Sequence, residues 1–214
     1  GQQKYADAEQ AYRAVLSGEP AYPGAWVALG SLLADQDKFD EAVAAYLNGL
    51  GLAPNDAGLH SALGAVLFKQ GRHEDAIGYF RRAIALTPED VAPARLLGHA
   101  LHDAGRPEEA VEAYRQASTL DPTDVVVLSN LGACLCGLGR LDEAGLACER
   151  ALALKPGHAP AHTNLGIIHE KRGDGDAAVA AHRHAIAADP SYARGYANLA
   201  VALRNTGDID EALA

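Results

Sequence analysis

Apolar side chains recur along this chain at two superposed spacings. Within a dozen residues they fall three and four apart, the period of a helix with one buried face. Across the chain, whole blocks return after 34 residues, as in Leu29, Leu63, Leu97, Leu131, Leu165 and Leu199. The residue after each is Gly30, Gly64, Gly98, Gly132 or Gly166, and finally Ala200. A side chain no larger than a methyl group at that register lets a second helix approach closely. Twelve residues further on runs another small column, Ala8, Ala42, Ala76, Ala110, Ala144, Ala178 and Ala212. Two small faces at that separation predict pairs of antiparallel helices in tight contact.

Turn residues punctuate the same period. Gly71, Gly105, Gly139, Gly173 and Gly207 stand where a first helix should end in a left-handed cap, and Asp37 takes that place in the first full copy. Acidic residues follow (Asp40-Glu41, Glu74-Asp75, Glu108-Glu109, Asp142-Glu143, Asp210-Glu211), where negative charge complements the N-terminal dipole of a second helix. Pro20, Pro54, Pro88, Pro122, Pro156 and Pro190 close each second helix. The chain therefore reads as one array: a leading second helix in 1–22, five full units at 23–56, 57–90, 91–124, 125–158 and 159–192, and a partial unit at 193–214.

Trp26, Leu29 and Gly30, followed by Ala42, Tyr46 and Pro54, resemble the tetratricopeptide repeat pattern W-x₂-L-G-x₂-Y…A-x₃-F…P, and the resemblance spans the whole chain. It implies an all-α, right-handed superhelical solenoid of antiparallel helix pairs. It also implies a protein-protein interaction module that holds a polypeptide segment in a concave groove. A pentatricopeptide array, the helical rival, would run at about 35 residues with a basic groove. In the fifth unit His162, Leu165, Gly166 and His169 form the packed face, and the resemblance assigns Thr163, Asn164, Ile167 and Glu170 to the groove. The equivalent stripe elsewhere includes Phe68, Arg95, His99, Ser129, Asn130, Asn198 and Arg204.

Asn130, Asn164 and Asn198 share one register. Asparagine is a mediocre helix former, so three aligned copies call for a compensating use. An amide both donates and accepts, which suits it to gripping a peptide backbone. The column resembles the asparagine ladder in the repeat domain of O-linked N-acetylglucosamine transferases, where such residues hold extended substrates. The first three full units carry Ala28, Ala62 and Leu96 instead. The expectation is that the three amides point into the groove. The alternative function is the substrate-recruiting segment of a larger enzyme of that glycosyltransferase kind. The carboxylate clamp of chaperone-adaptor repeats needs Lys and Asn at groove places that here hold residues such as Ser61 and Ala65.

Charge and chemistry narrow the function further. Lys plus Arg number 18 against 28 Asp plus Glu, a net charge of −10 that repels nucleic acid and anionic lipid. No apolar run reaches the length of a membrane span, and the expected setting is cytoplasmic. Cys134, Cys136 and Cys148 are odd in number and confined to one stretch, which predicts reduced thiols. Cys148 occupies the column of Tyr46, Phe80 and Tyr114 as a small core filler. Cys134 and Cys136 point roughly 200° apart on one helix, and His99 with His102 lacks a third ligand, so no metal, cofactor or catalytic residue is expected in this stretch. His162, His169 and His182 stand where the first full unit has Trp26, Leu33 and Tyr46, so the fifth unit should weaken as pH falls. Incomplete units at both ends, with Tyr5, Ala8, Tyr12 and Val15 on the leading helix and Tyr196, Leu199 and Leu203 on the trailing one, predict weak head-to-tail self-association.

Overall fold

In the computed structural model of the protein, which describes residues 2–208 and side chains from residue 5 onward, every 34-residue block folds as two helices. Twelve helices and no strand occur among the described residues. They form two compact units, residues 1–106 and 107–214. The first unit holds α1 (Gln2–Gly18), α2 (Pro23–Ala34), α3 (Phe39–Leu52), α4 (Ala57–Lys69), α5 (His73–Leu86) and α6 (Val91–Asp103). The second holds α7 (Pro107–Leu120), α8 (Val125–Gly137), α9 (Leu141–Leu154), α10 (Ala159–Arg172), α11 (Gly175–Ala188) and α12 (Ala193–Thr206). Within each unit the even-numbered helices are first helices and the odd-numbered ones second helices. Within each unit every helix packs on its neighbours in sequence, and α10 also touches α8 and α12.

The two small columns do what their spacing predicts. Ala42, Ala76, Ala110, Ala144 and Ala178 are fully buried; Ala212 lies outside the described residues. Opposite them, a Cβ on Gly64 would come within 2.8 Å of the Phe80 ring, and one on Gly30 within 2.7 Å of Tyr46. A first helix therefore lies directly on the aromatic side chain of its partner, with no room for a methyl group. Cys148 plays the same part beneath Gly132, and His182 beneath Gly166.

The turns follow the punctuation. Each first helix ends with a backbone N–H returning to a carbonyl five residues earlier, as from Arg72 to Leu67 and from Arg106 to Leu101, each within 2.9 Å. The residue that turns the chain has positive φ: +76° at Gly71 and +80° at Gly173, but also +57° at Asp37. Aspartate tolerates that region at a cost glycine does not incur. Asp37→Gly is therefore expected to stabilise the first unit by about 0.5–1 kcal/mol, read as a higher urea midpoint at unchanged m. An unchanged midpoint would show that the turn carries no strain.

The acidic first turns have a second use. Glu41 accepts from Arg13, Asp40 from Gln70, Glu74 from Arg106, Glu143 from Arg115 and Asp142 from Arg172, at 2.6–2.9 Å. Each joins two helix pairs, and being solvent-exposed they set orientation more than stability. The Asp210-Glu211 pair lies outside the described residues. Helix α1, on which Leu16 is buried, packs on α2 and is tied to the start of α3 by Glu9, whose carboxylate accepts from Lys38 Nζ at 2.8 Å. That bond and the neighbouring Arg13 hold the Glu9 carboxyl below its ordinary range in spite of burial.

Candidate binding face

Two devices fix how first helices begin, and α4 has both. Asp56, Asp90 and Asp124 cap α4, α6 and α8 by accepting from backbone N–H groups of the first turn. One turn later a ring donor closes the preceding loop: Trp26 Nε1 donates to the Pro20 carbonyl at 2.9 Å, and Tyr196 OH to that of Pro190 at 3.2 Å. A ring nitrogen of His60 and of His162 makes the same contact, with Pro54 and Pro156, at 2.9 and 2.8 Å. These bonds fix where each first helix starts, and so the rotation of the face it presents.

In the second unit that face is built by α8, α10 and α12. Asn164 does not point its amide out of it. Its side chain is 5 % exposed, and Nδ2 donates to the Ser129 carbonyl at 2.9 Å and lies 3.3 Å from Ser129 Oγ. Ser129 is itself 1 % exposed and Thr163 fully buried. The expectation that Ser129, Thr163 and Asn164 meet a ligand is corrected on this ground. They lie between adjacent first helices, where an unpaired backbone carbonyl or amide would be costly, and Asn164 joins α10 to α8.

The remaining predicted residues stand further out. Asn130 and Ile167 are half-buried, and Arg204 is exposed. Asn198, one repeat beyond Asn164, is half-buried, yet its Nδ2 has no hydrogen-bond partner, and neither has the Thr163 hydroxyl at the register of Ser129. The rung formed by Asn164 and Ser129 is thus not repeated between Asn198 and Thr163. Val126 and Val201, on the same face, are 44 % and 40 % exposed. In the first unit Phe68 is half-buried and meets His73 edge-on at 5.3 Å, while Arg95 and His99 on α6 are half-buried.

Reactive groups lie inside the packing. All three cysteines are free thiols and buried, and burial pushes Cys148 up to about 12, so its sulfur is no nucleophile at neutral pH. His182 is fully buried, with Nε2 3.3 Å from Glu170 Oε1; burial lowers its pKa, and Glu170 opposes this in part. His162 and His184 lie ring to ring at 5.6 Å. Among the described residues no three His, Cys, Asp or Glu side chains are placed to share a metal ion. No helix among them is long and apolar enough to cross a membrane.

No curated protein matches the sequence. Solved structures do. The chain is similar to YrrB, described as a TPR protein with an unusual peptide-binding site, at TM-score 0.75 and 22 % identity over 87 % of this chain and 96 % of that one. It is similar to the MamA protein at TM-score 0.74 and 24 % identity over 80 % and 94 %. A thermophilic TPR protein of Thermus thermophilus aligns at TM-score 0.63 and 21 % identity over 86 % and 100 %. At these identities the likeness speaks for the fold. Family models described as tetratricopeptide repeat match residues 1–57, 27–91, 61–125, 101–165, 161–192 and 183–214, and the chain belongs to the tetratricopeptide repeat family, an all-α solenoid of helix pairs.

Proposed function

We propose that the chain is a protein-interaction module that holds an extended polypeptide segment along the first-helix face of its second unit, formed by α8, α10 and α12. The observation that carries this reading is the exposure of Val126 and Val201 beside half-buried Asn198, whose enclosed amide nitrogen has no partner in the chain and gains one if the side chain turns outward. A main-chain carbonyl would satisfy the amide, and small apolar side chains would cover the valines. Asn130, Ile167 and Arg204 flank the same path; Phe68, Arg95 and His99 give the first unit its own stretch of first-helix face. The peptide-binding site in YrrB's description is consistent with such use of the fold.

Peptides selected from a random display library against this protein test the reading. Asn198→Ala should weaken a selected peptide about tenfold, the worth of one desolvated hydrogen bond, and Val201→Asp should weaken it further. Peptides that bind both variants as they bind the parent would place the site elsewhere. The alternative, a recruiting segment of a glycosyltransferase, rested on a three-rung amide column of which Asn164 is already engaged with Ser129. Weak head-to-tail association is supported by exposed Tyr5 and Val15 on α1 and Tyr196 on α12. It predicts light scattering that rises with concentration; a strict monomer at high micromolar concentration would oppose it.

A further inference from the structure

At the edge of the second unit, where α10 ends, α11 begins and α12 ends, the surface is indented. The notch holds about 210 Å³ and is lined by Glu170, Gly173, Gly175, Ala202, Asn205 and Thr206. Whole small-molecule sites run to roughly 300–1,000 Å³, so this volume suits the end of one long side chain.

The walls carry a definite sign. Among the described residues of the lining the one titratable side chain is the Glu170 carboxylate, 26 % exposed. Two helices, α10 and α12, end at the notch, and both end in left-handed glycines, Gly173 and Gly207. Helix C-termini present carbonyl oxygens and favour positive charge nearby. The positive N-terminal end of α11 is already answered by Asp174, whose carboxylate caps it through Ala177 N–H at 3.1 Å. Lys171, Arg172 and Arg204 belong to the same helices but are not in the wall, and Arg172 is paired with Asp142.

The same place in the first unit shows what belongs to the fold and what is particular to this notch. There the indentation is lined by Gly71, Arg72, His73, Glu74, Asp75 and Ala104. Phe68 stands at the register of Glu170 and His73 at that of Gly175, and the two rings pack together. Arg72 and Asp75 pair with each other at 2.6 Å. In the second unit the aromatic pair is replaced by a carboxylate and a glycine. Glycine at 175, where the other second helices begin with Phe39, His73, Pro107 and Leu141, lets α12 come close, since a Cβ there would lie 2.6 Å from Thr206 Cγ2, and it puts no side chain of its own into the notch.

We propose that this notch is a subsite for one cationic side chain, arginine or lysine, of a bound polypeptide, with the Glu170 carboxylate as its counter-ion and the Asn205 side chain as a neighbouring acceptor. The proposal rests on the reading of the second unit as a polypeptide-binding face and adds a preference for a basic residue at one point on it. One Glu170 oxygen faces His182. The carboxylate has capacity left for a guanidinium or ammonium group.

The test is a nuclear magnetic resonance titration of the whole chain with Nα-acetyl-arginine amide, against the isosteric but uncharged Nα-acetyl-citrulline amide. Arginine amide should give saturable shifts confined to the backbone amides of Gly173, Gly175, Asn205 and Thr206, and citrulline amide should not. Glu170→Gln should weaken the titration about tenfold. Asn205→Lys, at an exposed position of the lining, should abolish it by setting a competing cation beside the carboxylate, which stays in place. If Glu170→Gln proves unstable through the loss of its contact with His182, Asn205→Lys decides alone. Equal titrations by the two amides, an unchanged response in either folded variant, or shifts spread evenly over the acidic surface would overturn the proposal. The display-selected peptides read the face separately: if the arginine amide titration fails while Asn198→Ala still weakens those peptides, the subsite alone is wrong, and if they bind that variant as they bind the parent, the face is wrong.

Discussion

Phe80→Ala is expected to cost about 3–5 kcal/mol, the range for removing a fully buried aromatic ring, which is a large share of a domain's net stability. Phe80 is fully buried on α5 and its ring lies against Gly64 of α4. Urea denaturation followed by circular dichroism should show the loss as a lower midpoint, and, because repeats are stabilised by their neighbours, the whole first unit should feel it. A double-mutant cycle sharpens the test. Alone, Gly64→Ala places a Cβ 2.8 Å from the ring and should destabilise by about 1–3 kcal/mol. In the Phe80→Ala background the same methyl group enters the space the ring left, and the change should be neutral or stabilising. Additive losses would show that Gly64 and Phe80 do not share a contact.

That pair also shows why the fold could be read from the chain. The Gly and Ala columns, the left-handed turn at Asp37 and the closing prolines are each local consequences of two helices touching at a fixed register. A 34-residue period states that register repeatedly. Less visible was how each first helix starts. Asp56, Asp90 and Asp124 recur at the period and cap α4, α6 and α8, but Tyr22, His158 and Tyr192 stand there in the other units, which hides the column. The bonds from Trp26, His60, His162 and Tyr196 to proline carbonyls are made by four residues of three chemical types, alike only in being aromatic with a polar atom that can reach the carbonyl.

The binding face was legible in direction and not in detail. Periodicity gives the azimuth of a side chain on its helix, and by azimuth Asn130, Asn164 and Asn198 are equivalent. Whether an amide is free depends on the next helix, a fraction of a turn of relative rotation away. Asn164 meets the Ser129 carbonyl, whereas Asn198 reaches no acceptor. Ser129 and Thr163 were placed on the face by the same azimuth, one residue too deep to see it. The notch beside Glu170 left a clearer trace, in a glycine at 175 where its counterparts are mostly large.

The fifth unit should be the part of the chain most sensitive to acid, and His182→Phe should remove much of that sensitivity. His182 occupies the aromatic column with no exposed surface; its Nε2 faces Glu170 and its Nδ1 has no partner. Burial lowers its pKa below the ordinary imidazole value, the Glu170 carboxylate from α10 offsetting only part of the shift. Between the depressed folded value and the unfolded value of about 6.5, the unfolded chain therefore binds more protons than the folded one. The native state keeps its full stability above pH 6.5 and loses up to about 1.4 kcal/mol for each pH unit below it, until the folded imidazole also titrates. His158, lowered chiefly by burial and then by Lys155 and His162, adds a smaller slope of the same sign. Phenylalanine, the residue at this register in α5, fits beneath Gly166 and carries no proton. It gives up the contact with Glu170 but also removes an unpartnered buried nitrogen, so stability at pH 7.5 should change little, whereas near pH 5 the variant should exceed the parent, by at most about 2 kcal/mol, the limit set by the interval between that pH and the unfolded value. Hydrogen exchange across residues 159–192 at the two pH values, corrected for the intrinsic dependence of exchange on pH, gives the local reading. Equal protection of parent and variant at both would show that the imidazole takes up its proton without opening the unit.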